Sequence, residues 1–150
     1  MMVAAGYRNW GLNVSFIDDS IMTTLNRVHR HKDASTDILS FPAHTKVERP
    51  GKLPCTRRTK RDLGDIFIST PYISAYCEEN QVNIWDHLNV LYAHGISHLL
   101  GFDHEKDEDY ALMAPFEKKL LDSYSKYMNE YDPAEQGLYD SWNWSSDLTI

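Results

Sequence analysis

Three histidines, His94, His98 and His104, stand in the spacing H-x3-H-x2-G-x2-H inside NIWDHLNVLYAHGISHLLGFDH, residues 83–104. If residues 84–100 are helical, as the period of Ile84, Leu88, Leu91, Tyr92 and Leu99 suggests, His94 and His98 project from one face, one turn apart. Gly101 then falls where a helix ends. A glycine there can take the left-handed conformation that turns the chain back, bringing His104 round as a third ligand. Three neutral imidazoles leave one position of a tetrahedral zinc open, the arrangement of a catalytic site and not of a closed structural one. The expectation is a hydrolytic metal centre holding one zinc per chain, or another divalent transition metal. Ordinary surface or core histidines would explain one or two of these residues, but not the third after a glycine turn.

At 150 residues and 42% hydrophobic, with no apolar run long enough to cross a bilayer, the chain reads as one globular domain with a proper core and no membrane partner. The formal net charge of −7 argues against a general nucleic-acid coat protein, but the charge is uneven. Seven of the 15 Lys and Arg, at 46, 49, 52, 57, 58, 60 and 61, fall between Lys46 and Arg61 against the lone acid Glu48. Pro50, Gly51 and Pro54 break regular structure there, so the segment looks like an inserted loop. Such runs are commonly just solvated; this one can also contact a nucleic-acid phosphate backbone, for which Lys52, Arg57, Arg58, Lys60 and Arg61 are the candidate cations. Cys55 and Cys77 form no CxxC pair and no disulfide framework, which points to a reducing compartment. Residues 1–11 read as neither a secretory signal nor a transit peptide, so a secreted protein is not expected.

In chain order, LNVSFI (12–17) alternates as a half-buried strand and runs into an N-cap at Asp18-Asp19-Ser20. A helix from about Ser20 to His29 follows, with Ile21, Leu25 and Val28 as its apolar stripe. TDILSF (36–41) is a second strand, stopped by Pro42, and Arg30 lies in the connection before it, free to point into a cleft. LGDIFIS (63–69) is a third strand, and Thr70-Pro71 starts a helix to about Glu79. Asn83 and Asp86 resemble a capping pair for the histidine helix. Glu105, Asp107, Glu108 and Asp109 suit the first turn of a last helix, which Pro115 should kink or split before 116–128. The order implies one small sheet with helices packed against it, an α/β (α+β) domain over 1–128, followed by an acidic tail over 129–150 that carries Tyr131, Tyr139, Trp142 and Trp144.

The histidine spacing matches the long zinc motif of metzincin proteases except that Gly95 stands where those enzymes carry a general-base glutamate. A mid-helix glycine costs about 1 kcal/mol relative to alanine, which hints that something approaches closely there. The blocks HGISHLLGFDH, NRVHRHKDASTDILSF and LGDIFIS, in their order along the chain, resemble the YbeY family of metal-dependent endoribonucleases over roughly residues 12–121. The resemblance implies a zincin-like fold with a small mixed sheet, a metal (usually taken as zinc) on His94, His98 and His104, and Arg30 acting in the cleft. It further implies a single-strand-preferring endoribonuclease of ribosomal RNA maturation and ribosome quality control, with small-subunit RNA or ribosomal proteins as partners. The compartment would be the cytoplasm in a bacterium and the mitochondrion or plastid in a eukaryote. Arg30 would meet the charge of a pentacoordinate transition state. Asp103, the carboxylate nearest the ligand set, would orient a ligand histidine or act as a base; Asp65 reads as structural, and Thr36, Asp37 and Ser40 as capping or lining the cleft. Three readings stay open: an RNA endonuclease, a peptidase-like hydrolase with a substitute base, and an assembly factor with a structural metal. The missing glutamate separates the first from the second.

Overall fold

The computed structural model describes residues 1–56 and 58–130. Its elements are α1 (Met2–Ala5), β1 (Gly11–Ile17), α2 (Asp19–Arg30), β2 (Ile38–Pro42), β3 (Asp62–Ser69), α3 (Thr70–Asn80), α4 (Ile84–Leu99) and α5 (Asp107–Glu130). All but the four-residue α1, which is too short to carry a periodic signal, follow the expected order. β3 is the middle strand of a mixed three-stranded sheet ordered β1-β3-β2. It pairs in parallel with β1, Val14 opposite Ile66 and Ile17 opposite Ser69, and antiparallel with β2, Ile38 opposite Ile68 and Pro42 opposite Gly64. Pro42 is tolerated because it is the last residue of an edge strand.

The core forms where α4 lies on this sheet: Ile38, Leu63, Ile66 and Ile68 meet Leu88, Leu91, Ala93, Ile96 and Leu99, with Leu120 of α5 closing the cluster. Each buried leucine or isoleucine among these contributes about 1.5–3 kcal/mol relative to exposure. Gly95 sets how closely the layers approach. A Cβ placed there would lie 2.7 Å from Ile66 Cδ1, 3.0 Å from Ile38 Cδ1 and 3.2 Å from Ser40 Oγ. Position 95 therefore faces the sheet, which has no room for a glutamate.

Three local readings need correction. In α2 the buried residues are Met22 and Asn26, whereas Ile21 and Val28 are about half exposed or more. Polar ties, not the apolar stripe, set the helix phase: the Asp19 carboxylate accepts from Ser35 Oγ at 2.6 Å and from Ser69 Oγ at 2.5 Å, and Asn26 Nδ2 donates to the Ala34 carbonyl at 2.7 Å. Asp19, Met22, Asn26 and Arg30 share one face at spacings of three, four and four, so Arg30 sits in the last turn of α2 and not in the connection after it. Second, α5 runs unbroken through Pro115. The ring is exposed, so water can serve the carbonyl it leaves unpaired, while buried Met113 and Leu120 hold the helix on either side. Third, the basic segment, expected as an inserted loop, is tied into the domain. Leu53 is in the core, Arg49 and Lys52 form a β-bridge around Gly51, and the Gly51 N–H donates to the Leu100 carbonyl at 2.9 Å. Tyr7 secures it further, donating from its hydroxyl to Gly51 O at 3.0 Å and accepting from Leu53 N at 2.9 Å. Of the tail, residues 131–150, with Trp142 and Trp144, lie outside the described residues, as does Arg57.

Candidate metal centre

The Asn83 side chain opens α4 by accepting from the N–H groups of Trp85 at 2.8 Å and Asp86 at 3.4 Å. Its other end is closed by a glycine turn. Gly101, at φ 83°, donates to the His98 carbonyl at 3.0 Å, and Phe102 N–H donates to Ser97 O at 3.1 Å, the paired bonds of a Schellman motif. Asp103 follows, its Oδ1 accepting from His104 N–H at 2.7 Å. The turn carries His104 back over α4, where its ring stacks on His94 with centroids 5.2 Å apart and meets His98 edge-on at 5.0 Å.

His94, His98 and His104 each offer one nitrogen, and these donor atoms lie within 4.8 Å of one another. The Nε2 atoms of His94 and His98 are 3.1 Å apart. The opposite ring atoms are both engaged: His94 Nδ1 with Glu117 Oε1 at 2.8 Å, and His98 Nδ1 with the Phe102 carbonyl at 3.1 Å. A carboxylate and a carbonyl can only accept, so both Nδ1 atoms carry the proton and both Nε2 atoms present bare lone pairs to the shared point. Burial, followed by the neighbouring His94 and His104, depresses the His98 pKa to about 4, so this imidazole is neutral near pH 7. Neutral imidazoles with converging lone pairs fit a divalent cation.

His98 and His104 line an open cleft of about 740 Å³, and the His94 ring lies against both of theirs. His98, Gly101, Phe102, Asp103, His104 and Glu105 line one side; His29, Arg30, His31, Lys32, Ser40 and Pro42 line the other. Arg30 forms no ion pair among the described residues. The structure thus brings Arg30 and Asp103 to the cleft that holds the histidines. The ring partners seen are Glu117 on His94 and the Phe102 carbonyl on His98, while Asp103 holds the His104 backbone with Oδ1. Asp65 accepts from Asn13 Nδ2 at 3.0 Å across the β1–β3 pair, and Asp37 accepts from Ile38 N–H at 2.8 Å.

The basic cations divide. Lys52 joins Lys46 and Arg49 along a separate groove of about 500 Å³. Lys60 is paired with Asp62 at 2.7 Å, while Arg58 and Arg61 are exposed. The two regions meet at Phe102, which lines the cleft and lies against Gly51 of the basic segment.

Glu117 is the site residue that reasoning from sequence missed. A signal existed: on α5 it falls four residues after Met113 and three before Leu120, both buried, so it puts a carboxylate on the inward stripe where the helical period calls for an apolar side chain.

Residues 3–125 match the family described as Endoribonuclease YbeY. A protein of that name from Homo sapiens is 32% identical over 136 residues, 89% of this chain and 80% of the human protein. One from Persephonella marina is 35% identical over 122 residues, 81% of this chain and 74% of that one. One from Myxococcus xanthus is 39% identical over 110 residues, 73% of this chain but 35% of the longer relative.

Proposed function

Because the chain belongs to the YbeY family of endoribonucleases, we propose that it cuts single-stranded segments of ribosomal RNA during maturation and quality control of the small ribosomal subunit. One observation carries this reading: three imidazoles gather their nitrogens at one point, and two of them, His98 and His104, line the same open cleft as Arg30 and Lys32. A few nucleotides of a single strand suit a cleft of about 740 Å³, and unstacked bases are what RNA-reading proteins commonly grip.

His94, His98 and His104 would hold one ion, and three imidazole nitrogens suit zinc, though another divalent transition metal fits the same set. When bound, the ion supplies Lewis acidity toward a phosphoryl oxygen and lowers the pKa of water toward neutrality. Arg30 binds the scissile phosphate with its planar fork of donors and meets the charge that grows in the transition state. Asp103, at the rim, uses one oxygen to hold the His104 backbone and offers the other to orient or deprotonate a water. Lys52, beside Lys46 and Arg49, anchors the backbone farther along, with Arg57, Arg58, Lys60 and Arg61 adding charge from the same segment. The metzincin route to a peptidase would need a carboxylate at position 95, which is pressed against Ile66 and Ile38.

Among the described residues no helix is long and apolar enough to cross a membrane. The expected place of action is wherever ribosomes are assembled, the cytoplasm of a bacterium or a ribosome-bearing organelle of a eukaryote. The test is to incubate metal-loaded protein with structured RNA and with casein, with and without chelator. RNA should be cut only when metal is present and casein should stay intact. Cleavage of casein, or uncut RNA at full metal occupancy, would overturn the proposal.

A further inference from the structure

We propose that Glu117 is a positioning residue for the metal centre, fixing the tautomer and the angle of the His94 ring; this rests on the reading of the three histidines as metal ligands. The carboxylate lies 2.8 Å from His94 Nδ1, at side-chain exposures of 23% for Glu117 and 30% for His94. A partly buried carboxylate loses hydration and needs a partner. No lysine of α5 serves it: Lys118 pairs with Asp122 at 2.7 Å, Lys126 with Glu130 at 3.9 Å, and the Lys119 ammonium lies 5.9 Å from the Phe116 ring centroid. The Nδ1–H of His94 is the partner this carboxylate has among the described residues.

An imidazole that donates from Nδ1 to a carboxylate keeps Nε2 unprotonated, and the carboxylate raises the basicity of that nitrogen as a ligand. The adjoining residue of α5 supports the other helical ligand: Phe116 stacks on Phe102 at 4.6 Å and 21°, and the Phe102 carbonyl is the group 3.1 Å from His98 Nδ1. One turn of α5 therefore braces both histidines of α4, one by charge and one through a stacked ring.

The test uses the full chain as wild type, Glu117→Ala and Glu117→Gln. In metal-free, 15N-labelled protein, two-bond 1H–15N correlations report which nitrogen of His94 is protonated, without any metal or activity. Wild type should show the Nδ1–H form. Glu117→Ala should lose that preference and bind zinc about 10–100-fold more weakly in competition with a chromogenic chelator, the usual cost of removing such a partner. Glu117→Gln, whose amide oxygen still accepts, should restore the tautomer and part of the affinity. An unchanged tautomer with unchanged affinity in both variants would overturn the inference. Should Glu117→Ala fail to fold, Glu117→Gln decides alone: a retained Nδ1–H form with a measurable affinity loss supports the role of the charge, and affinity equal to wild type counts against it. Failure of wild type to bind zinc would instead bring down the ligand set itself, a result separate from any difference between variants.

Discussion

Replacing Gly95 by alanine sets two effects of known sign against each other. Alanine should strengthen α4 by about 1 kcal/mol through helix propensity. Its methyl group would, however, sit 2.7 Å from Ile66 Cδ1 and 3.0 Å from Ile38 Cδ1, where carbon atoms prefer about 3.5–4.0 Å. Ile66 is fully buried, so it cannot simply swing away. Overpacking of this kind costs about 1–3 kcal/mol, leaving Gly95→Ala destabilised by about 0–2 kcal/mol. The cleaner quantity is a coupling energy. Ile66→Val removes the offending Cδ1 and alone should cost about 0.5–1.5 kcal/mol. In the double variant the new methyl fills the space the valine leaves, so the two losses should sum to less than their separate values by about 1 kcal/mol. Relief is incomplete because Ile38 and Ser40 remain. Urea unfolding of the four proteins in excess chelator gives the cycle without a contribution from metal binding, provided m is constant. Additivity within about 0.3 kcal/mol, or a full 1 kcal/mol gain in Gly95→Ala alone, would refute the claim that the sheet excludes a side chain at this position.

Further expectations concern the site and its supports. His98→Ala should remove stoichiometric zinc in elemental analysis while the protein stays folded, since two ligands and water seldom hold the ion well; full occupancy would refute the ligand set. Arg30→Ala should slow single-turnover RNA cleavage by at least about tenfold, or 1.4 kcal/mol, at unchanged metal content, with Arg30→Lys recovering only part. An unaltered rate would make Arg30 peripheral. Hydrogen bonds from Ser35 and Ser69 lower the Asp19 pKa, so the ionised carboxylate contributes stability above its unfolded pKa and loses it as pH falls through the folded value. The stability gap between wild type and Asp19→Asn should therefore be present at pH 6 and shrink below about pH 4, the unfolded carboxylate range. A gap that is the same at pH 6 and pH 3 would mean that the charge of Asp19 is irrelevant.

The legible parts of this protein are those written within one stretch of chain. His94, His98, Gly101 and His104 specify their own geometry, because a helical turn and a glycine-closed helix end are local rules. The three strands were legible for the same reason, as short runs at 12–17, 36–41 and 63–69, whereas their order β1-β3-β2 is set by pairing between distant segments. What escaped depends on distant contacts. The phase of α2 is set by Ser35, Ser69 and Ala34, polar partners that the apolar pattern of Ile21, Leu25 and Val28 does not register. Pro115 reads as a break, yet buried neighbours on either side keep α5 whole. Glu117 lies 23 residues from His94, and their contact exists only once α5 has packed on α4. The basic segment looked detached because proline and glycine mark loops, while its ties run through Tyr7 and the end of α4.

The central claim is that one ion on three histidines carries RNA cleavage, and a titration tests it most directly. Metal-free protein is given zinc in steps, and single-turnover cleavage of a single-stranded RNA is measured at each step alongside bound metal. The cleavage rate should rise from background in proportion to bound zinc and break at one equivalent, with His98→Ala flat throughout. Full cleavage by the metal-free protein, or a rise in His98→Ala matching that of wild type, would contradict it.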